Sequence, residues 1–295
     1  MVRIMIGIIL MVGFVLVTLV MVEDGQSVVS EETTDFPVIF QVPLAEEDTP
    51  FDVPNYPERL PSFENAIGGV VPHHLIAHEF LSEFFEQLGK RQSVPQTIVL
   101  LAPNHFEVGE EHVQTAHFLW EAAQGEVETD AAVLEKVRRG GAVIREDTFQ
   151  QEHGIYNIIP YIAHFLPGTK VVPILFKHDT TALEIDRLVE NIQEVVQDDR
   201  VFIISSVDFS HYLPKQESSR KDTETLEAIR KYDVSRIASF GSDHLDSPAA
   251  IMTLLQIGQK NDATNVQVLR HGNSADAIRS RSDSTTSHFT LLLSK

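Results

Sequence analysis

The 295-residue chain contains no cysteine, which removes disulfides, thiolate metal ligation and a cysteine nucleophile together. Any metal it binds is held by nitrogen and oxygen. Positive charge is scarce: 23 Lys and Arg stand against 43 Asp and Glu, a formal net charge of −20. That balance excludes the electrostatic footprint of a nucleic-acid binder and argues against attraction to anionic membrane surfaces. No Gly-x-Gly-x-x-Gly or Walker-type loop is present, since Gly68-Gly69 and Gly140-Gly141 are isolated pairs, and there is no Gly-x-Ser-x-Gly elbow. Nucleotide binding through a phosphate loop and serine hydrolysis therefore lack their usual sequence support.

What the chain does have is a histidine just after each of three apolar, strand-like runs. These are Gly-Gly-Val-Val-Pro-His73, Thr-Ile-Val-Leu-Leu-Ala-Pro-Asn-His105 and Val-Phe-Ile-Ile-Ser-Ser-Val-Asp208-Phe-Ser-His211. In an open α/β sheet the ligand crevice lies outside the carboxyl ends of the strands, so imidazoles far apart in sequence converge there. The pattern predicts a metal site with an acid/base beside it.

The segment Ile4 to Val22 is nineteen residues without a charge, which at ~1.5 Å per residue spans roughly the ~30 Å of a bilayer core. It predicts a single-pass transmembrane anchor over residues 1–22. Arg3 before it and Glu23 and Asp24 after it would place the body outside the cytoplasm. A cleaved signal, giving a secreted domain, is the alternative. Residues 23–65 carry six prolines among many acids, with ten acids and one base from Glu23 to Leu60. They read as an extended, acidic tether, with apolar patches such as Phe36 to Pro43 able to dock on the body.

From Ala66 to Lys295, short Val/Ile-rich runs alternate with amphipathic stretches. This predicts one α/β domain with a mainly parallel or mixed central sheet flanked by helices. Strands are expected near 67–71, 97–101, 113–118, 142–145, 170–175, 201–206, 265–270 and 287–293. Helices are expected near 74–89, 130–138, 154–165, 182–197, 217–231 and 247–259.

The order and spacing of several pieces resemble a known family. They are Val71-Pro72-His73, Leu101-Ala102-Pro103-Asn104-His105, Glu152-His153-Gly154-Ile155, Val172-Pro173-Ile174-Leu175 and Ser205-Ser206-Val207-Asp208-Phe209-Ser210-His211. Together they resemble the Memo family, also called AmmeMemoRadiSam system protein B, which is similar in fold to class III extradiol ring-cleavage dioxygenases. The resemblance implies that His73 and His105 are metal ligands, that His211 is an acid/base with Asp208 beside it, and that Glu152 and His153 face the pocket. The family's third ligand is usually a cysteine four residues before a helix-opening proline. Counting back from Pro248 reaches His244, while Asp246 is the carboxylate alternative. The second choice gives two histidines and one carboxylate, the set used by non-haem Fe(II) oxygenases.

After His73 this chain continues His74-Leu75-Ile76, where the family commonly has a small residue, glycine and an aromatic. His74 and His78, spaced i, i+4, would share a helix face. His112, His117, His164, His178, His271 and His288 receive no role. Imidazole and carboxylate donors suit a divalent ion, iron first, with zinc or copper next. The functions expected are a membrane-anchored, metal-binding protein with redox or oxygenase-type activity on a small molecule, or a non-catalytic module that binds a protein partner. A true catechol dioxygenase is a third reading.

Overall fold

The computed structural model describes residues 5–11, 14–23, 26–33, 37–43, 51–56, 58–196, 200–277 and 283–295. The chain divides into two units, Met1–Val38 and Ile39–Lys295.

The first unit contains an antiparallel meander of β1 (Met5–Met11), β2 (Phe14–Glu23) and β3 (Gln26–Thr33). Val20 lies opposite Met5 on one side and Val29 on the other. This corrects the expected transmembrane anchor. The described part of the Ile4 to Val22 run is strand, and among the described residues no helix is long and apolar enough to cross a membrane. The single-pass membrane attachment and the extracytoplasmic placement drawn from such a helix are corrected with it, and the secreted alternative receives no support from these strands. Hydropathy counted apolar residues without weighing their branching. Ten of the nineteen are Ile, Val or Thr, which lose side-chain freedom in a helix and pack well on a pleated surface, and Gly7 would cost a helix about 1 kcal/mol.

The second unit holds all but the first residue of β4 (Val38–Gln41) and continues with β5 (Ala66–Val71), α1 (His78–Gly89), β6 (Thr97–Pro103), β7 (Val113–Thr115), β8 (Phe118–Ala122), β9 (Gly125–Glu128), α2 (Ala131–Arg139) and β10 (Val143–Ile144). There follow α3 (His153–Tyr156), α4 (Ile159–Phe165), β11 (Lys170–Phe176), α5 (Ala182–Val196), β12 (Val201–Ser206), β13 (His211–Leu213) and α6 (Lys215–Arg230). The chain ends through α7 (Val234–Ile237), α8 (Pro248–Lys260), β14 (Asn265–Asn273), α9 (Ser274–Ala277) and β15 (Thr285–Ser294).

The central sheet runs β10-β7-β11-β6-β12-β5-β15-β13, with β14 also paired to β15. Its middle strands β11, β6, β12 and β5 are parallel, while β15 joins β5 and β7 joins β11 in the antiparallel sense. Strand alternation feeds two cores. Val99, Leu101, Val172, Ile174 and Ile203 face Val137 of α2, Leu188 of α5 and Leu254 of α8. Ile98, Leu100, Val171, Leu175 and Ile204 face Phe84 and Leu88 of α1 and Ile162 of α4. A sheet covered on both faces explains why its strands read as continuous apolar runs. The expected α/β domain with a mixed sheet flanked by helices is present.

Gly68 and Gly69 serve packing. A Cβ at Gly68 would lie 2.6 Å from the Ile203 carbonyl oxygen, and one at Gly69 2.5 Å from that of Leu291. The helix expected over 154–165 divides into α3 and α4, because Pro160 sits in the first turn of α4, where its missing N–H is tolerated. The strand expected over 113–118 also divides, with β8 pairing with β9 in a small sheet that includes β4. Within the expected tether, Phe40 packs on Phe118 and Trp120 at centroid distances of 5.2 and 4.8 Å, and Phe63 packs on Phe84 at 5.3 Å.

Candidate metal centre

Three adjacent strands build the site. In the parallel ladder Ser206 of β12 pairs with Val71 of β5, and Ser205 pairs with Leu101 of β6. Pro72-His73-His74, Val207-Asp208 and Asn104-His105 therefore leave the sheet side by side. A fourth piece is tied on by the backbone. The Asp246 N–H donates to the Asp208 carbonyl at 3.1 Å, the Asp208 N–H donates to Asp246 Oδ2 at 3.2 Å, and Phe209 bridges to Leu245.

At the centre His73 Nε2 lies 3.3 Å from Asp208 Oδ2 and 3.3 Å from Asp246 Oδ2, and His105 Nε2 lies 3.7 Å from Asp246 Oδ2. The far nitrogens are spoken for. Ser206 donates its one hydroxyl proton to the Gly154 carbonyl at 2.6 Å, so the 3.3 Å contact from Ser206 Oγ to His73 Nδ1 is made with Nδ1–H as donor. His105 Nδ1 meets Glu152 Oε1 at 2.6 Å, again necessarily as donor. Both neutral imidazoles thus present a bare Nε2 to carboxylate oxygens, a repulsive arrangement unless a cation stands between them. His73 Nε2, Asp208 Oδ2 and Asp246 Oδ1 are buried and make no hydrogen bond. The donor set fits a divalent metal, and the imidazole–carboxylate pair of His105 and Glu152 is the usual support for a metal-bound histidine.

Without a metal, protons take the cation's place. Burial works against charge on His105, but hydrogen bonds and attraction from Asp246 and Glu152 prevail and raise its pKa to about 10. Burial likewise opposes charge on His73, and Asp208 and Asp246 outweigh it. Asp246 shows the reverse, with burial opposing ionisation and the neighbouring His73 charge holding its carboxyl below the usual range. Burial, then the charges of His73 and His105, push His153 down to about 4. Burial also lowers His211.

The remaining candidates fall into two classes. Glu152 is fully buried, caps α3 by accepting from the Gly154 N–H at 2.9 Å, and accepts from the His105 N–H at 2.9 Å. His153 stacks on His105 with centroids 4.2 Å apart. His211 is buried nearby with Nδ1 lacking a partner. His244 lies elsewhere: its ring stacks on Phe240 at 4.0 Å, its Nδ1 meets Asp243 at 3.0 Å and its Nε2 meets Glu224 at 3.4 Å. Asp208 engages His73, His74 and His288, with His74 Nδ1 at 2.8 Å and His288 Nδ1 at 3.0 Å. His78 bonds the Leu75 carbonyl at 3.1 Å, so His74 and His78 do not act as a pair. His288 was missed by sequence reasoning. The antiparallel register of Leu291 with Val70 carries β15 back past the end of β5 and delivers its ring to Asp208. Its polar side chain inside an apolar strand was the available signal.

The profile of a family described as Memo-like protein matches residues 51–291. A MEMO1 family protein from Caldivirga maquilingensis is 30% identical over 225 residues, covering 70% of this chain and 76% of that protein. Relatives of the same name from Pyrobaculum arsenaticum and Methanococcoides burtonii are 28% and 29% identical, each over 223 residues and 72% of this chain, covering 78% and 81% of their own lengths. The match runs through β5, β6, β12 and the loops that carry His73, His105, Asp208 and Asp246, and the chain belongs to the Memo family.

Proposed function

We propose that this protein is a metal-dependent oxidoreductase of oxygenase type acting on a small molecule, with a divalent cation held by His73, His105 and Asp246. Iron is the first choice and zinc or copper the next. The observation that carries the reading is the bare, buried Nε2 of His73 facing two carboxylate oxygens at 3.3 Å each. When bound, the cation supplies Lewis acidity toward an oxygen or carbonyl group, and iron with two histidines and one carboxylate leaves positions open for small molecules.

The chain's own groups do the rest. Glu152 fixes the ring of His105, and Ser206 fixes that of His73. His211, with an unpartnered Nδ1, exchanges a proton with substrate as acid or base. A small cavity of about 90 Å³ opens beside Asp246, with Phe176, Phe240 and Met252 and the polar Lys177, His178 and Ser247 in its lining.

The test uses full-length protein purified without oxygen, compared with its His73→Ala/His105→Ala variant. Metal content is read by mass spectrometry, and oxygen uptake is read with a panel of catechols and thiols. The expected result is bound iron, zinc or copper in the parent, at least one equivalent less in the variant, and uptake in the parent alone. Equal metal in both overturns the centre. Metal without uptake, or uptake unchanged in the variant, overturns the redox reading and leaves a binding pocket.

A further inference from the structure

The residues around Asp208 form more than one group able to hold an ion. His73 joins His105 and His153 in one and Asp208 and Asp246 in another, while His74, Asp208 and His288 make a third, with donor atoms within 4.8 Å of one another. Asp208 is the common edge. Its Oδ2 faces His73 Nε2 at 3.3 Å and His74 Nδ1 at 2.8 Å, and its Oδ1 faces His288 Nδ1 at 3.0 Å.

We infer that His74, Asp208 and His288 form a second divalent-cation site, bridged to the His73/His105/Asp246 centre through the Asp208 carboxylate. Each centre has two imidazoles, and the carboxylate lying between them has two oxygens. One unpartnered atom supports a ligand here. Asp208 is fully buried and its Oδ2 makes no aligned hydrogen bond, although three imidazoles surround the carboxylate. His288 is 2% exposed and turns its Nδ1 to Asp208 Oδ1, which places a second imidazole nitrogen on the carboxylate beside that of His74. A buried carboxylate ringed by three imidazoles, one of its oxygens without an aligned donor, is a poor structural device and a good cation bridge. His74 is half-exposed, which gives the second site a solvent route. Nitrogen and oxygen donors without sulfur select Zn(II), Fe(II), Mn(II) or Cu(II). Two ions sharing a carboxylate clamp a substrate with two adjacent oxygen donors.

The experiment counts ions. Full-length protein is stripped with chelator, loaded anaerobically with Fe(II) or with Zn(II), desalted and measured by mass spectrometry. Every sample carries His178→Ala, which removes the exposed Glu107/His178/Asp179 group as background. Two equivalents are expected in this parent, one after adding His74→Ala or His288→Ala, and one after adding His105→Ala. His74→Ala, in a half-exposed loop, keeps the test valid should the buried His288→Ala variant fail to fold. Saturation at one equivalent that disappears with His105→Ala, whether or not His74→Ala removes it too, overturns the second site. One equivalent that survives His105→Ala and disappears with His74→Ala leaves the second site standing and overturns the reading of the main centre. No metal, or one equivalent indifferent to both substitutions, overturns both.

Discussion

Two buried carboxylates in this protein sit among histidines and serines, and only one of them is satisfied. Asp222 on α6 accepts from Ser210 Oγ at 2.6 Å, from Ser287 Oγ at 2.6 Å and from His271 Nε2 at 3.0 Å. Ser218 and Asn273 complete the network through contacts of 2.8 and 3.3 Å, and the His271 ring lies flat on Phe289 with centroids 4.0 Å apart. Around Asp208 and Asp246, by contrast, His73 Nε2, Asp208 Oδ2, Asp246 Oδ1, His211 Nδ1 and His288 Nε2 all lack hydrogen-bond partners. Satisfied polar networks hold a fold together, whereas five unpartnered buried atoms gathered in one place, unlike the scattered Ser82 Oγ, Trp120 Nε1 and Tyr161 Oη, mark a place kept for a ligand. The same residue types thus read as scaffold in one region and as site in the other.

Breaking the scaffold gives the largest effect. Asp222→Ala strands two buried hydroxyls and the His271 N–H, and is expected to cost on the order of 3 kcal/mol. Urea unfolding followed by the fluorescence of the single tryptophan, the buried Trp120, measures it. The folded fraction should keep its full metal content, and a loss of metal there would erase the distinction between the two regions. Next is the converse test. A divalent ion at a hundredfold its dissociation constant should stabilise the parent by about 2.7 kcal/mol. His73→Ala/His105→Ala should lose the part of this that belongs to the main centre, while Asp222→Ala should retain all of it. Smaller again is Glu152→Gln, which leaves His105 in place with a weaker acceptor. It should lower metal affinity 10- to 100-fold and lower metal-free stability by on the order of 2 kcal/mol, because the new amide NH2 faces an N–H that the carboxylate had accepted, read by chelator competition and by unfolding respectively.

Much of the site was legible because strand ends are. The apolar runs before His73, His105 and Asp208 had to be buried strands, and parallel neighbours bring their following residues together. Asp246 was harder. Counting back from Pro248 reached His244, but the Phe209–Leu245 bridge and the paired backbone bonds of Asp208 and Asp246 turn residue 246 inward and leave residue 244 on Phe240. That choice is made by tertiary pairing, which spacing does not encode. His288 depended on the register of β15 against β5, a contact across more than two hundred residues. At the amino terminus, length and hydropathy favoured a helix, whereas β-branching and glycine agreed with the meander of β1 to β3.

Ser206 gives the smallest and most discriminating effect, because it belongs to both classes. Its hydroxyl proton goes to the Gly154 carbonyl, as in a scaffold, and its oxygen receives His73 Nδ1–H, which keeps Nε2 bare for a ligand. Ser206→Ala loses both of these buried hydrogen bonds, on the order of 1–2 kcal/mol, and unlocks the tautomer. If roughly half of the neutral rings then carry the proton on Nε2, only the remainder are ready to bind. Apparent affinity should fall in proportion to that competent fraction, roughly twofold to fivefold, and Ser206→Thr, which retains the hydroxyl, should restore it. Competition with a chromophoric chelator resolves changes of this size. Complete loss of metal in Ser206→Ala would mean that the hydroxyl is itself a ligand. Unchanged affinity would mean that the carboxylates, not the serine, set the proton on His73, and the line between scaffold and site would then fall one residue closer to Asp208.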